Sequence, residues 1–390
     1  MIAIEEAARM GHKDATPSYI KVSTLCRGLN FPLDLFVDVQ ADFYANQYVY
    51  GRTSTGALRA HRLPQALQLG TGVISAALRR LESPLSLSVD GERVRLLYRG
   101  RVVRELGLPG RPAYFGNLLS NGMRTEDFIA VAGEAIPGFF LYPDCHYFPA
   151  GNPCKFCSLR HARKTAGREM ADRFDLGIVA EATRLFQRTS WKEIPIVSIS
   201  TGTFPDGNDG ARYTCRVIRA IYEAMDPKLP IHLLTMPPDN LDVMHEYREA
   251  GVTSLAFNIE VFDRATFQDI CPGKEHFYGY DKMLKALEYA VDVVGPYNAF
   301  CGFVWGLEPL ESVVEGYRWC LDRGISVSSN VFHADQGSAF AKRPHPEEDY
   351  VLGLCQAQSR LYECYPDARP IFPVSMRSTL DWEIHRGDFR

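Results

Sequence analysis

The stretches "GYDKMLKALEYAVDVVG" (279–295), "AFCGFVWGL" (299–307), "SVVEGYRWCLDRG" (312–324) and "ISVSSNVF" (325–332) follow one another with almost nothing between them. The first and third place apolar residues at helical spacing and stop at Gly295 and Gly324, the residue that ends a helix without a Cβ penalty. The second and fourth are short runs rich in aromatic and β-branched residues, suited to strands. Helix and strand alternate, which is the pattern of parallel strands joined by crossover helices.

The alternation extends back along the chain. "GFFLY" (138–142), "IPIVSIS" (194–200), "PIHLLTM" (230–236) and "VTSLAFNIEVF" (252–262) read as strands. "ADRFDLGIVAEATRLFQRT" (171–189), "ARYTCRVIRAIYEAM" (211–225) and "DNLDVMHEYREAG" (239–251) read as helices. Six β/α units in succession predict an α/β fold, either a doubly wound sheet or an incomplete (β/α) barrel. Both put chemistry at the C-terminal ends of the strands.

The N-terminal third differs. "PLSLSVDGERVRLLYRGRVV" (84–103) alternates and carries Asp90-Gly91, a hairpin signal. The expected organisation is an N-terminal α+β accessory domain over 1–136, a barrel over 137–340 and a short C-terminal helical extension over 341–390. That extension includes "EEDYVLGLCQAQSRLYECY" (347–365).

Composition sets the class. Of 390 residues, 46% are hydrophobic and 23% charged, with a formal net charge of −4, so a globular chain without a general pull toward nucleic acid or anionic membrane is expected. Residues 52–111 hold eleven Arg, no Lys and four acids. An Arg-rich solvated face is the preferred reading; a phosphate or RNA contact surface is the alternative. No apolar run reaches a membrane span. The opening "MIAIEEAARMGHKDA" lacks the apolar core of a signal peptide. A cytoplasmic location is expected, where thiols stay reduced.

Within "DCHYFPAGNPCKFCSL" (144–159), Cys145, Cys154 and Cys157 are spaced C-x8-C-x2-C, just past the first strand of the series. The other cysteines (26, 215, 271, 301, 320, 355, 364) are scattered, most in apolar surroundings, with Cys271 in what reads as a polar loop, "CPGKEHFYGY" (271–280). Two metal readings arise. Cys145, Cys154, Cys157 and His161 would close a tetrahedral zinc site, as in a zinc-stabilised non-redox enzyme. Three thiolates on a four-iron cluster would leave one iron open to a small molecule. Asn258 and Glu260, two apart on one strand, face the same way, and such a polar pair facing inward is costly unless it binds something. His333 and Asp335, after the sixth strand, have the same spacing. Arg160, Arg163 and Lys164 are read as solvated, with an anionic substrate as the alternative.

The cysteine loop resembles the cluster loop of radical S-adenosylmethionine (SAM) enzymes, in which three cysteines follow the first strand of a (β/α)6 partial barrel. The common spacing there is C-x3-C-x2-C, so the first gap here is longer by five residues. The resemblance spans most of 138–340 and rests on three further places. "STGTF" (200–204) is similar to the Gly-containing motif after the second strand, "FNIEVF" (257–262) to the polar fourth strand, and "GFVWGLEP" (302–309) to a fifth-strand motif GxIxGxxE, with Glu308 one position early. The resemblance implies a partial TIM barrel and a 4Fe–4S cluster on Cys145, Cys154 and Cys157. It implies SAM contacts at Phe156, Thr201, Gly202, Thr203, Asn258, Glu260, Lys274, Val304, Gly306 and His333. Cys271 is weighed as a hydrogen donor or fourth ligand and read as a structural thiol. Reductive cleavage of SAM then starts radical chemistry on a small metabolite, as in natural-product biosynthesis; aminocarboxypropyl transfer is the alternative outcome. A flavodoxin or ferredoxin is the implied electron donor. No auxiliary cluster or cobalamin region is apparent.

Overall fold

The computed structural model describes residues 4–5, 16–43, 63–133, 136–165, 173–190 and 194–390. Arg52, Arg59 and Arg62, part of the Arg-rich stretch, and most of the opening segment lie outside these residues.

Helix α1 (Pro17–Arg27) begins with a proline in its first turn, where the missing N–H has no helical partner to lose. An antiparallel pair, β1 (Ala66–Gly70) and β2 (Val73–Ala76), follows. A meander comes next: β3 (Leu85–Asp90), β4 (Arg93–Tyr98) and β5 (Arg101–Leu106). Asp90 pairs with Arg93, so Gly91 and Glu92 make the turn, and Gly91 sits at φ +60°, a conformation glycine adopts freely. These elements bury Ile20, Leu67, Leu85, Leu96 and their neighbours in a core of their own. The described arginines of this region are mostly tied to it. Arg79 and Arg104 donate to backbone carbonyls of Phe31 and Leu69, and Arg80, Arg95 and Arg111 pair with Glu82, Asp90 and Glu126.

The rest of the chain builds one large sheet. In order come β6 (Ile129–Ala132), β7 (Ile136–Tyr142), α2 (Leu159–Thr165), α3 (Leu176–Ser190), β8 (Val197–Thr201), α4 (Gly207–Ala224), β9 (Ile231–Leu234), α5 (Val243–Glu249) and β10 (Val252–Ala256). Then follow α6 (Arg264–Ile270), α7 (Pro272–Phe277), α8 (Tyr280–Val294), β11 (Ala299–Trp305), α9 (Leu310–Leu321), β12 (Ile325–Val331), α10 (Glu348–Cys364) and α11 (Asp381–His385). The strand order is β12-β11-β10-β9-β8-β7-β6. Strands β7 to β12 are parallel, and β6 adds antiparallel to β7. Each parallel strand lies beside its successor. That singly wound order is a barrel wall, not the reversing order of a doubly wound sheet. The wall is incomplete, with β12 and β6 at its edges. The C-terminal segment covers the β12 edge: Val331 N–H donates to Ser378, and Ala76 N–H to Arg377, at 2.9 and 2.8 Å. Buried Lys21 of α1 is clamped by Glu383 at 2.8 Å and the Met376 carbonyl at 2.6 Å. The first and last helices are thereby tied together. No helix among the described residues is long and apolar enough to cross a membrane.

Several boundaries differ from the sequence expectation. Helix α3 starts at Leu176, because the Asp175 carboxylate accepts from Ile178 N–H at 3.0 Å and caps it there. Strand β10 stops at Ala256, well short of Phe262. The expected polar loop 271–280 is mostly a short helix, α7, which directly follows another, α6. Strand β6 joins a sheet expected to start with β7, so the boundary at 136/137 falls inside β7.

His232, in β9, is fully buried, with Nδ1 2.8 Å from Ser254 Oγ. Burial holds its pKa down at about 3. The folded chain therefore resists a proton that the unfolded chain takes up below its ordinary value. Stability is full above that value and falls by about 1 kcal/mol per pH unit below pH 6, down to the folded pKa. Denaturant titrations from pH 7 to 4.5 should show this loss, and His232→Phe should flatten it.

Candidate active site

Cys145 stands three residues past β7, at the C-terminal end of the parallel strands. The eight residues between it and Cys154 fold as a chain of turns: Phe148 N–H donates to Cys145, Gly151 N–H to Phe148 and Asn152 N–H to Tyr147, at 3.1, 3.1 and 2.9 Å. The loop is anchored on two sides. His146 N–H donates to the Thr203 carbonyl at 2.8 Å, just past β8. Tyr147 is buried and stacks on Phe277 at 5.5 Å and 9°, while a side chain at Gly273 would collide with the Tyr147 ring and the Asn152 carbonyl. The long gap is thus a packed structure wedged between β8 and α7.

All ten cysteines are free thiols. Burial pushes the Cys145 thiol up, opposed by hydrogen bonds from Thr203 and Tyr147. Burial and the neighbouring Cys154 push Cys157 up as well. Cys154 moves the other way, held down first by its hydrogen bond to Cys271 and then, against burial, by the Lys274 ammonium. The three loop cysteines therefore share one electrostatic neighbourhood. Cys271 departs from expectation: it is 0% exposed and its thiol neighbours Cys154, because α6 and α7 fold the supposed polar loop inward.

Among the described residues, no three His, Cys, Asp or Glu side chains close around a single point as a mononuclear site requires. The His161 ring packs where a side chain at Gly337 would stand. Three neighbouring free thiols match the thiolate ligand set of an iron–sulfur cluster. Thiolates are costly to form in this burial unless a cation is present, which the irons of such a cluster supply.

The other expected positions surround this loop. A side chain at Gly202 would fall on the Asp144 carbonyl oxygen, so the glycine lets β8 pass directly beneath the cysteine loop. Thr201 Oγ1 lies 2.8 Å from Thr235 Oγ1, a hydroxyl at the end of β9 that the sequence reading missed. Thr203, beside Cys145, lines a cavity of about 160 Å³ with His146, Phe204, Thr235, Met236 and Phe277. Phe156 is half-buried against the core.

Phe257, Ile259 and Val261 are all fully buried while Asn258 and Glu260 are half-exposed, so the alternation persists beyond β10. It does so without regular strand geometry, since Glu260 has φ +74°. Two bonds hold it there: Glu260 N–H donates to Gly302, and Val304 N–H to Glu260, at 2.9 and 2.7 Å. Asn258 fills the space a side chain at Gly302 would need. Lys274, expected to reach SAM's carboxylate, is engaged within the protein. Its ammonium donates to Glu260 Oε1 at 2.7 Å and the Asn258 carbonyl at 2.6 Å. Burial opposes its charge, but Glu260 and the thiols outweigh that and raise its pKa.

Val304 is buried in β11, and Gly306 follows at φ +100° against Pro346. Glu308 accepts from Phe262 N–H at 2.8 Å and Asp263 N–H at 2.8 Å, and burial raises its pKa to about 7. Its contacts are structural. His333 Nδ1 lies 2.7 Å from Asp335 Oδ1, and the other oxygen of buried Asp335 accepts from Ser158 Oγ at 3.0 Å. A polar chain thus runs from the residue after Cys157 to the end of β12. Ser158, like Thr235 and Tyr147, carried no sequence signal.

Residues 141–332 match the model of the Radical SAM superfamily, and the chain belongs to that superfamily. It is accordingly an enzyme whose cofactors are a 4Fe–4S cluster and S-adenosylmethionine. The bacteriochlorophyllide c C-7(1)-hydroxylase of Chlorobaculum limnaeum is 23% identical over 298 residues, 73% of each chain. Among solved structures, methylornithine synthase is similar at 17% identity and a TM-score of 0.45, covering 60% of this chain. The chain spans 63% of that protein's length. A radical SAM methyltransferase from Sphaerobacter thermophilus is similar at 14% identity and a TM-score of 0.42, covering 72% of this chain and 75% of its own.

Proposed function

We propose that this chain cleaves SAM reductively at a cluster held by Cys145, Cys154 and Cys157, and uses the resulting radical to abstract hydrogen from a small organic molecule. The observation that carries the reading is the loop of three free thiols that follows the C-terminal end of β7, with the Asp144 carbonyl beside Cys145 packed on Gly202. When bound, the cluster and SAM supply one-electron scission of a carbon–sulfur bond, giving a 5′-deoxyadenosyl radical. The protein's part is to hold and exclude. Gly202 and Thr203 fix the backbone that carries Cys145. Thr201, Asn258 and His333 offer polar groups toward the strand ends, and Glu260 with Lys274 stiffens the β10 extension. Phe156 and Val304 contribute apolar wall, and Gly306 the turn beside it. The residues before β6 act as an accessory domain beside the barrel, whose sheet begins at β6, with 341–390 closing its open edge. A reduced flavodoxin or ferredoxin supplies the electron. The hydroxylase relative supports a substrate C–H bond as the point of attack.

Cys154→Ala tests the ligand assignment. Anaerobic reconstitution should leave the variant with less than about half the wild-type iron and no SAM cleavage. Unchanged iron and turnover would refute it.

A further inference from the structure

Two stretches that are far apart in sequence form a cationic rim beside the three thiols. Residues 155–164 carry Lys155, Arg160, Arg163 and Lys164 with no acid, and the segment after β12 carries Lys342 and Arg343. Three contacts hold the second stretch along the first. Phe340 N–H donates to the Lys155 carbonyl at 3.0 Å, Ser158 Oγ donates to Asp335 at 3.0 Å, and the His161 ring abuts Gly337.

Among the described residues, three carboxylates close to the first stretch are engaged or buried. Asp144 pairs with Arg163 at 2.9 Å and Asp269 with Lys155 at 2.5 Å, while Asp335 is 2% exposed. Lys164 and Lys342 are exposed and Arg160 half-exposed, and none of the three has an ion-pair partner among the described residues. Arg343 lies 4.8 Å over the Phe340 ring. The chain as a whole carries a formal −4, so this positive rim runs against the global charge. It lies next to the only group in the proposed function that must receive an electron from outside.

We propose that this rim, centred on Arg160, Lys164, Lys342 and Arg343, docks an acidic protein electron carrier. The inference rests on the radical SAM reading above. In the step it serves, one electron leaves the reduced carrier, which is oxidised by one, and enters the iron–sulfur group; no bond is formed or broken and no proton moves. Complementary charge raises the rate of encounter and fixes orientation, and it weakens with salt as exposed charges are screened.

The test uses the full-length, cluster-reconstituted enzyme with a flavodoxin of net negative charge. Its affinity for the enzyme is measured by titration, and 5′-deoxyadenosine formation is followed separately. Reduced methyl viologen, a small cation that gains nothing from a positive rim, is the comparison reductant. Lys164→Glu/Lys342→Glu should weaken flavodoxin binding and flavodoxin-driven turnover by about tenfold or more, leaving viologen-driven turnover undiminished. Wild-type affinity should fall steeply between about 50 and 300 mM salt.

Equal loss with both reductants would overturn the proposal and assign the rim to substrate or SAM. So would no loss with either. Arg216→Glu/Arg219→Glu alters a second basic groove, on the outer faces of α3 and α4; if that change alone weakened flavodoxin binding, the docking surface would lie there. If viologen drove no SAM cleavage in the wild type, the proposed function would fail, while the binding titration would still decide the rim.

Discussion

Gly202→Ala is expected to give a folded chain that does not hold iron. The added methyl would fall on the Asp144 carbonyl oxygen, an atom of rigid backbone. Gly202 cannot retreat, because its N–H is tied to the Tyr142 carbonyl at 2.8 Å. The displacement therefore passes to Asp144 and its neighbour Cys145. His146 adds leverage, since its bond to Thr203 crosses the same junction. Overpacking of this kind costs about 1–3 kcal/mol, which a chain of this size can survive. A ligand cysteine carried off position is harder to tolerate, because cluster assembly needs all three thiolates at once. After anaerobic reconstitution, iron should fall from about four per chain to below about one, with far-UV circular dichroism unchanged. Wild-type iron content in Gly202→Ala would show that the close approach does not position Cys145.

The second large effect is predicted at Lys274. Its ammonium is nearly inaccessible and bonded to Glu260 and the Asn258 carbonyl. Lys274→Met would leave the Glu260 carboxylate in a half-buried position without its counter-charge, on a residue already at φ +74°. Removing one partner of a buried pair costs about 3–5 kcal/mol, and neutralising the other recovers much of it. Lys274→Met should therefore lower unfolding free energy by that amount in denaturant titration, and Lys274→Met/Glu260→Gln should restore more than half. If Lys274→Met left stability unchanged but weakened SAM binding, Lys274 would be a ligand contact as the sequence suggested, and the Glu260 pair would be incidental.

The barrel was legible because short apolar runs alternate with amphipathic helices, several of them closed by glycines, a pattern that survives without knowledge of tertiary contacts. The cysteine loop was legible for the same reason: reactive residue types at close spacing. Other features depend on partners distant in sequence. "CPGKEHFYGY" looks like a loop because it holds Pro272, Gly273 and Gly279, yet Pro272 is the first residue of a helix and Gly273 is needed for contact with Tyr147. Cys271 became a buried neighbour of Cys154 through that helix. Gly202 was read as part of a SAM motif, while its reason for being glycine lies in Asp144, far back in sequence. Thr235 and Ser158 are single hydroxyls whose meaning appears only beside Thr201 and Asp335. The left-handed backbone at Glu260, four residues past the end of β10, is one that no propensity of glutamate foretells.

The most direct test of the central claim is to incubate the anaerobically reconstituted enzyme with SAM and dithionite and identify the nucleoside released. The account predicts about four irons per chain and formation of 5′-deoxyadenosine, lost in Cys154→Ala. Methylthioadenosine as the product would mean that the other carbon–sulfur bond breaks and an aminocarboxypropyl group is transferred. A colourless protein with one zinc and no SAM cleavage would contradict the account outright.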